Sequence, residues 1–158
     1  HRKSFCGVLT DRPRVRKPSR GAMTFTVTHD PANSAACLTH TGPVDADEIK
    51  ASRLELKDVA NAQTVRGALI NITDATIAAE PVEIIENVQG LVDDLHPGTK
   101  LGFVGRPEDQ EIVSMIVATV AHSTGRRVGQ FHALEKALCW IRLDWEAAAA
   151  CDCLPITE

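Results

Sequence analysis

The sequence contains no tyrosine and only four phenylalanines and two tryptophans among its 158 residues. A core so poor in aromatic rings must be aliphatic, and a stacking platform for single-stranded nucleic acid, which needs a row of exposed rings, has little to be built from. Long apolar runs are also missing. None approaches the roughly 18 residues needed to span a bilayer, and no signal-peptide core is present. There is no Gly-rich phosphate loop, since Gly102-Phe103-Val104-Gly105 is too short a match to a dinucleotide fingerprint. No internal repeat occurs, and low complexity is confined to Ala147–Ala150. No cofactor is expected.

What is present is ordinary globular material, 44% apolar and 24% charged. The charge is unevenly placed. Residues 1–22 hold seven Lys and Arg against Asp11 alone, a net of +6, which leaves −10 for residues 23–158. An acidic body argues against nucleic acid, because phosphate contacts need a basic face. The basic arm carries Pro13 and Pro18 and no apolar periodicity, so residues 1–22 read as a disordered leader: a cloning remnant, a mis-assigned upstream stretch, a natural tail or an Arg-rich transit peptide. Residues 23–145 read as one domain and residues 146–158 as a C-terminal tail.

The five cysteines, at positions 6, 37, 139, 151 and 153, are odd in number and scattered. Cys37 and Cys139 sit in apolar segments and read as small buried thiols. Cys151 and Cys153 lack the neighbouring ligands a metal would need. The expectation is a reducing, cytoplasmic setting and no metal.

The elements separate along the chain. Thr24 to His29 alternates as a half-buried strand, Asp30–Ser34 is turn chemistry, and Ala35 to Thr39 completes a hairpin broken at Gly42-Pro43. Asp45 with Glu48 opens a helix carrying Ile49, Leu56, Val59 and Ala60, with Asn61 as a stop. Ala68, Leu69, Ile70 and Ile72 form a buried strand that ends in a polar turn at Thr73, Asp74 and Thr76. A second helix starts at Pro81, with a stripe of Val82, Ile85, Val88, Val92 and Leu95. Leu101 to Val104 is a strand. Pro107 starts a third helix lined by Ile112, Met115, Ile116, Thr119 and Val120, and Gly125 stops it. Val128 to Phe131 is a last strand, and Leu134, Leu138 and Ile141 mark a fourth helix. The expectation is an α/β fold: an open mixed sheet of about five strands, an N-terminal hairpin followed by βα units, with about four helices packed on it.

Three stretches carry a resemblance. GALINITDAT is similar to the third strand of SpoIIAA-like, STAS-like domains, the fold of the anti-sigma-factor antagonists. KLGFVGRPEDQEIVSMI resembles the strand, loop and helix that follow, and GQFHALEKALCWI the closing strand and helix. The resemblance spans about Thr24 to Leu143. It implies a non-enzymatic regulatory or protein-interaction module of bacterial type, with another protein or a second copy of itself as partner. It also implies a contact or phosphoacceptor role for the tip at Thr73, Asp74 and Thr76. The sequence departs from the phospho-switch pattern there: DATIAAEPVEI lacks an Asp-Ser-Ser-Gly opening of the next helix. The related lipid-carrier topology and the aliphatic stripes leave a second reading, a binder of a small apolar ligand.

Catalytic patterns are thin. Ser114, His122 and Asp109 could be assembled on paper, but Ser114 lies within a helix and not on a nucleophile elbow. Asp93-Asp94 reads as a solvated helix end. His29 and His40, near the ends of paired strands, could approach each other. Arg106, Arg126 and Arg127 would form an anion contact if their loops were neighbours. No enzymatic activity is expected.

Overall fold

In a computed structural model the described residues are 14–15 and 25–156. Apart from Arg14 and Val15, the expectation for residues 1–22 lies outside them.

Alternating small and branched side chains build a sheet covered on both faces. β1 (Arg14–Val15) and β2 (Phe25–Asp30) pair antiparallel, as do β2 and β3 (Ala35–Val44). The turn between β2 and β3 is held by Asp30, whose carboxylate accepts from the Asn33 backbone N–H at 3.3 Å and from its Nδ2 at 2.9 Å. From β3 onward every neighbour is parallel: β4 (Gly67–Ile77), β5 (Lys100–Val104) and β6 (Val128–Phe131) follow in chain order.

Because each crossover steps the same way, right-handed connections place their helices on one face. These are α1 (Ala46–Gln63), α2 (Pro81–Asp94) and α3 (Glu111–Thr124). Against them the sheet turns Val27, Ala36, Leu38, Ala68, Leu101, Phe103 and Val128. The alternate residues Ala35, Cys37, Leu69, Val104 and Phe131 face the other way, toward α4 (Leu134–Arg142) and Ala148 of the short α5 (Trp145–Ala150). The sheet is therefore sandwiched between a three-helix layer and a thinner α4–α5 layer.

Caps set the helix starts. The Asp45 carboxylate accepts from the Glu48 N–H at 2.9 Å, and Glu80 forms a capping box with Glu83 ahead of Pro81. Gly125 ends α3 at a φ of +68°, the left-handed conformation glycine adopts without strain. At the end of α4, the Lys100 ammonium donates to the carbonyls of Trp140, Ile141 and Leu143, which have no helical partner. Burial lowers the Lys100 pKa to about 8, helped by Arg127 and Arg66 and opposed by Asp144.

Several boundaries differ from the expectation. β3 does not break at Gly42-Pro43. Gly42 takes a φ of +72° and the strand runs on to Val44. The third helix starts at Glu111 and not at Pro107, which lies in a turn closed by Arg106 and Asp109. The buried stripe of α2 is Ile84, Val88, Leu91 and Val92, while Val82 and Ile85 are exposed. Two apolar rows share Val88 and Val92, and the sheet takes the row that includes Ile84. On α3, Ile116, Val117 and Val120 are buried, but Ile112, Met115 and Thr119 face out.

The cysteines also depart from the buried-thiol reading. Cys139 is joined to Cys153 across a Cα separation of 6.0 Å, Cys37 is disulfide-bonded as well, and exposed Cys151 is free. Cysteines held in disulfides do not point to a reducing compartment as free buried thiols would. Beyond Cys153, the Ile156 N–H donates to the Gln130 carbonyl at 2.7 Å, so Ile156 lies beside β6.

Candidate functional site

β4 outruns its neighbour. β5 pairs with it only from Gly67 to Asn71, where Val104 ends the ladder. β4 continues to Ile77 with β3 alone beside it, so a two-stranded ribbon extends past the C-terminal end of β5. A register shift marks the departure: Thr39 to Thr41 on β3 spans Asn71 to Asp74 on β4, one residue more. That bulge leaves β4 carbonyls without ladder partners, and buried backbone groups need them.

The loop after β5 supplies those partners. Gln110 Nε2 donates to the carbonyls of Ile72 at 2.8 Å and Ala75 at 3.1 Å. Arg106 Nε donates to the Thr73 carbonyl at 2.7 Å, and its Nη1 to Asp109 Oδ2 at 2.7 Å. The Gln110 Oε1 in turn accepts from the Arg106 N–H at 2.8 Å. Gly105 makes room for this crossing, since a Cβ there would lie 2.5 Å from Gln110 Oε1.

Thr73, Asp74 and Thr76 are therefore strand residues on the ribbon, not members of a turn. The strand-exit reading fails because β3, prolonged through Gly42, keeps pairing with β4 as far as Ile77. The Thr73 hydroxyl donates to Asn71 Oδ1 at 2.7 Å, whereas Asp74 and Thr76 are exposed opposite Thr41 and Pro43.

Beside the ribbon lies an open groove of about 500 Å³. Its walls are Ala75, Thr76 and Ile77 of β4, Pro81 and Ile84 of α2, and the Arg106–Val113 stretch that starts α3. Apolar residues left out of the core lie on the two helices above it: Val82 is 59% exposed, Ile85 42%, Ile112 52% and Met115 60%, and Ile112 also lines the groove. Arg53 of α1 reaches Asn87 and Asp94, which marks the α1 side of α2. Helical spacing puts Val82 and Ile85 on the opposite side, toward α3, and Ile112 and Met115 on the side of α3 toward α2. The four form one apolar seam.

The other candidates disperse. Arg126 caps the end of α2, donating to the carbonyls of Val92 at 2.7 Å and His96 at 2.8 Å. β5 and β6 are neighbours but parallel, so Arg126 and Arg127 stand at the N-terminal end of the sheet and Arg106 at the C-terminal end. The three arginines do not form one anion contact. His29 and His40 lie opposite Ala36 and Phe25 respectively, four residues apart along β2, or roughly 13 Å. Ser114, Asp109 and His122 are not brought together by any hydrogen bond among the described residues, and eight helical residues separate Ser114 from His122, or about 12 Å. Asp94 is held by Arg53 at 3.3 Å rather than paired with Asp93 for acid–base work.

One polar cluster was not visible in the sequence. His40, Ser52 and Glu48 meet beneath α1, with Nε2 2.9 Å from Ser52 Oγ and Nδ1 3.8 Å from Glu48 Oε2. All three are buried. Ser52 Oγ also lies 3.0 Å from the Ile49 carbonyl, and its single proton can go to that carbonyl or to Nε2, so the tautomer of His40 follows from which of the two accepts it. The trio lies in the core beneath α1 and apart from the ribbon. Burial lowers the His40 pKa to about 4. The cavity onto which His40 and Ser52 open, lined also by Leu38, Ile70, Val88 and Phe103, measures about 60 Å³. That is a small fraction of a ligand pocket, and it does not favour the small-apolar-ligand reading.

A hairpin leading into parallel βα units in chain order, three helices on one face and one pair on the other, together make a SpoIIAA-like fold. In sequence the chain matches no protein-family model and no curated relative. Among solved structures it is similar to an anti-sigma factor antagonist from Mycobacterium paratuberculosis, with a TM-score of 0.58 and 14% identity over 78% of this chain and 98% of that one. An uncharacterised protein with a SpoIIAA-like fold from Shewanella loihica follows, with a TM-score of 0.55 and 16% identity over 79% of this chain and 99% of that one. The phosphorylated form of the Bacillus cell-fate determinant SpoIIAA has a TM-score of 0.50 and 14% identity over 75% of this chain and its whole own length. At these identities the likeness shows the fold. Among the described residues no helix is long and apolar enough to cross a membrane.

Proposed function

We propose that this chain is a non-enzymatic regulatory module that works by binding another protein, with the ribbon at Thr73, Asp74 and Thr76 as part of the contact surface. The observation that carries this reading is the division of labour at the site. Arg106 and Gln110 point their polar groups at the ribbon's own backbone, and Asp109 at Arg106, while the exposed faces of Asp74 and Thr76 and the adjoining groove are turned outward. Such a rigidly held projection suits recognition better than chemistry, and of the structural neighbours named above one is an anti-sigma factor antagonist and another the phosphorylated form of a cell-fate determinant.

Thr76 is the better phosphoacceptor of the two threonines, being exposed where Thr73 is half-buried and bonded to Asn71. A phosphate on it would add nearly two negative charges beside Asp74 and Glu80 and would change the contact electrostatically, weakening binding to an acidic partner surface and tightening binding to a basic one. The regulatory reading places the chain in the cytoplasm. Alkylation of the protein at cell lysis, before thiols can exchange, tests that: disulfides already formed in the cell would place it elsewhere.

The test of function is affinity capture from the native host with wild-type protein and with Asp74→Lys/Thr76→Lys, followed by identification of retained proteins and extracted small molecules. A protein retained by the wild type and lost by the variant is expected. An identical retained set for both, or recovery of a small molecule alone, would overturn the proposal.

A further inference from the structure

Among the described residues the apolar seam between α2 and α3 is unpartnered, and its surroundings specify the kind of surface that would cover it. Val82, Ile85, Ile112 and Met115 are four of the seven large apolar side chains that the described residues expose, and they gather where two adjacent parallel helices start. Exposed apolar groups collected in this way, and rimmed by charge, mark interaction surfaces.

Among the described residues the rim has one sign. Neither α2 nor α3 contains a Lys or Arg. Exposed Asp74, Glu80, Glu86, Glu108, Asp109 and Glu111 surround the seam and the groove below it. Among the described residues the single cation in the groove wall, Arg106, is bound to Asp109 and to the Thr73 carbonyl.

We infer that this seam docks a cationic amphipathic helix of a partner protein, its apolar stripe lying along Ile85 and Met115 and its flanking Lys or Arg residues meeting the acidic rim. This inference rests on the interaction-module reading above and names the chemistry of its partner. Charge decides among the occupants. A second copy of this chain docking through the same face would set acid against acid, which costs affinity and slows encounter. An anionic bilayer would welcome the apolar side chains but would be repelled by the rim. A basic helix gains from both, because helix-in-groove recognition supplies the apolar anchors and the rim steers the approach. The rim charges stay solvated, so they set salt dependence and on-rate while the apolar anchors set the off-rate.

The experiment uses the full chain and three fluorescent synthetic peptides of equal length: a leucine-striped helix flanked by lysines, the same stripe flanked by glutamates, and a scrambled lysine peptide. The lysine helix is expected to bind, the other two at least about tenfold more weakly, and added salt should weaken the complex. Ile85→Ser/Met115→Ser changes no charge and lies outside the core, and it should lose about tenfold in affinity for the lysine helix. Circular dichroism and thermal unfolding confirm that this variant is folded. Equal binding of lysine and scrambled peptides, or unchanged binding by the variant, would overturn the inference, since acidity alone would then explain the effect. Preferential binding of anionic vesicles, or self-association abolished by the same substitutions, would overturn it as well. A native partner still captured by the seam variant but lost by the ribbon variant would leave the interaction module standing and sink this docking site.

Discussion

Replacing Gln110 by alanine tests the physical account of the ribbon directly. The side chain makes three hydrogen bonds, to the carbonyls of Ile72 and Ala75 and from the Arg106 N–H, all partly buried. A net contribution of about 0.5–1.5 kcal/mol per bond sets the scale. The groove admits water, which can replace some of the lost partners, so the expected cost is about 1.5–3 kcal/mol rather than the sum of the upper values. Gln110→Glu separates the two halves of the interaction. A carboxylate still accepts from the Arg106 N–H, but it cannot donate to Ile72 and Ala75 and turns negative oxygen toward their carbonyls. The glutamate variant should therefore be at least as unstable as the alanine variant. Denaturant unfolding measures the stability, and amide hydrogen exchange supplies the second readout. The Arg106 amide should exchange faster in Gln110→Ala and stay protected in Gln110→Glu. If both variants lie within about 0.5 kcal/mol of wild type and the Arg106 amide behaves alike in all three, the side chain does not hold the ribbon, and the bulge is stabilised some other way.

The phase of α2 predicts that Val88→Ala costs about 1–3 kcal/mol while Ile85→Ala costs under about 0.5 kcal/mol, read from denaturant midpoints. Similar costs for both would mean that the helix is rotated from the position described. The lowered pKa of His40 predicts acid sensitivity: between pH 6.5 and about 4 the unfolded chain takes up a proton that the folded one refuses, so stability falls as pH falls. The loss is on the order of 3 kcal/mol at most, less to the extent that Glu48 receives the imidazolium, and His40→Phe should flatten the pH profile of unfolding across that window. Cys153→Ser opens the link to Cys139, whose sequence separation is 14, and should cost about 3 kcal/mol on the chain-entropy account. A disulfide-linked peptide pair in a non-reducing digest establishes the bond, and its absence refutes the pairing.

Much of the architecture was legible because it is local. The 180° alternation of Phe25 and Val27, the caps at Asp45 and Pro81 and the stop at Gly125 each depend on a few adjacent residues, and each appears where expected. Helix phase was less legible for a physical reason. α2 and α3 carry more apolar residues than one face can bury, so periodicity alone offered two overlapping rows, and only the position of the sheet chooses between them. The surplus itself was the signal: apolar residues at 82, 85, 112 and 115 in addition to a full buried stripe leave a second face to be explained.

The ribbon was misread for a related reason. A buried strand running into Thr73, Asp74 and Thr76 resembles a strand meeting a turn, because polar β-branched residues suit both an exit and an exposed two-stranded extension. What separates the alternatives lies far away in sequence. β3 must persist through Gly42 and Pro43 to pair with Asp74–Ile77, and Gln110, over thirty residues beyond the bulge, must cross Gly105 to reach the orphaned carbonyls. Neither requirement leaves a periodic trace. Gly105 followed by Arg106 and, four residues later, Gln110 gives only the residue types that such a bridge needs. The same long-range logic dissolved the arginine triad, since parallel neighbours carry the ends of β5 and the start of β6 to opposite edges of the sheet. One consequence follows for function. The site's polar residues are fixed by the need to finish a strand, so the exposed side chains around them, Asp74, Thr76 and the apolar seam, are the ones at liberty to respond to a partner.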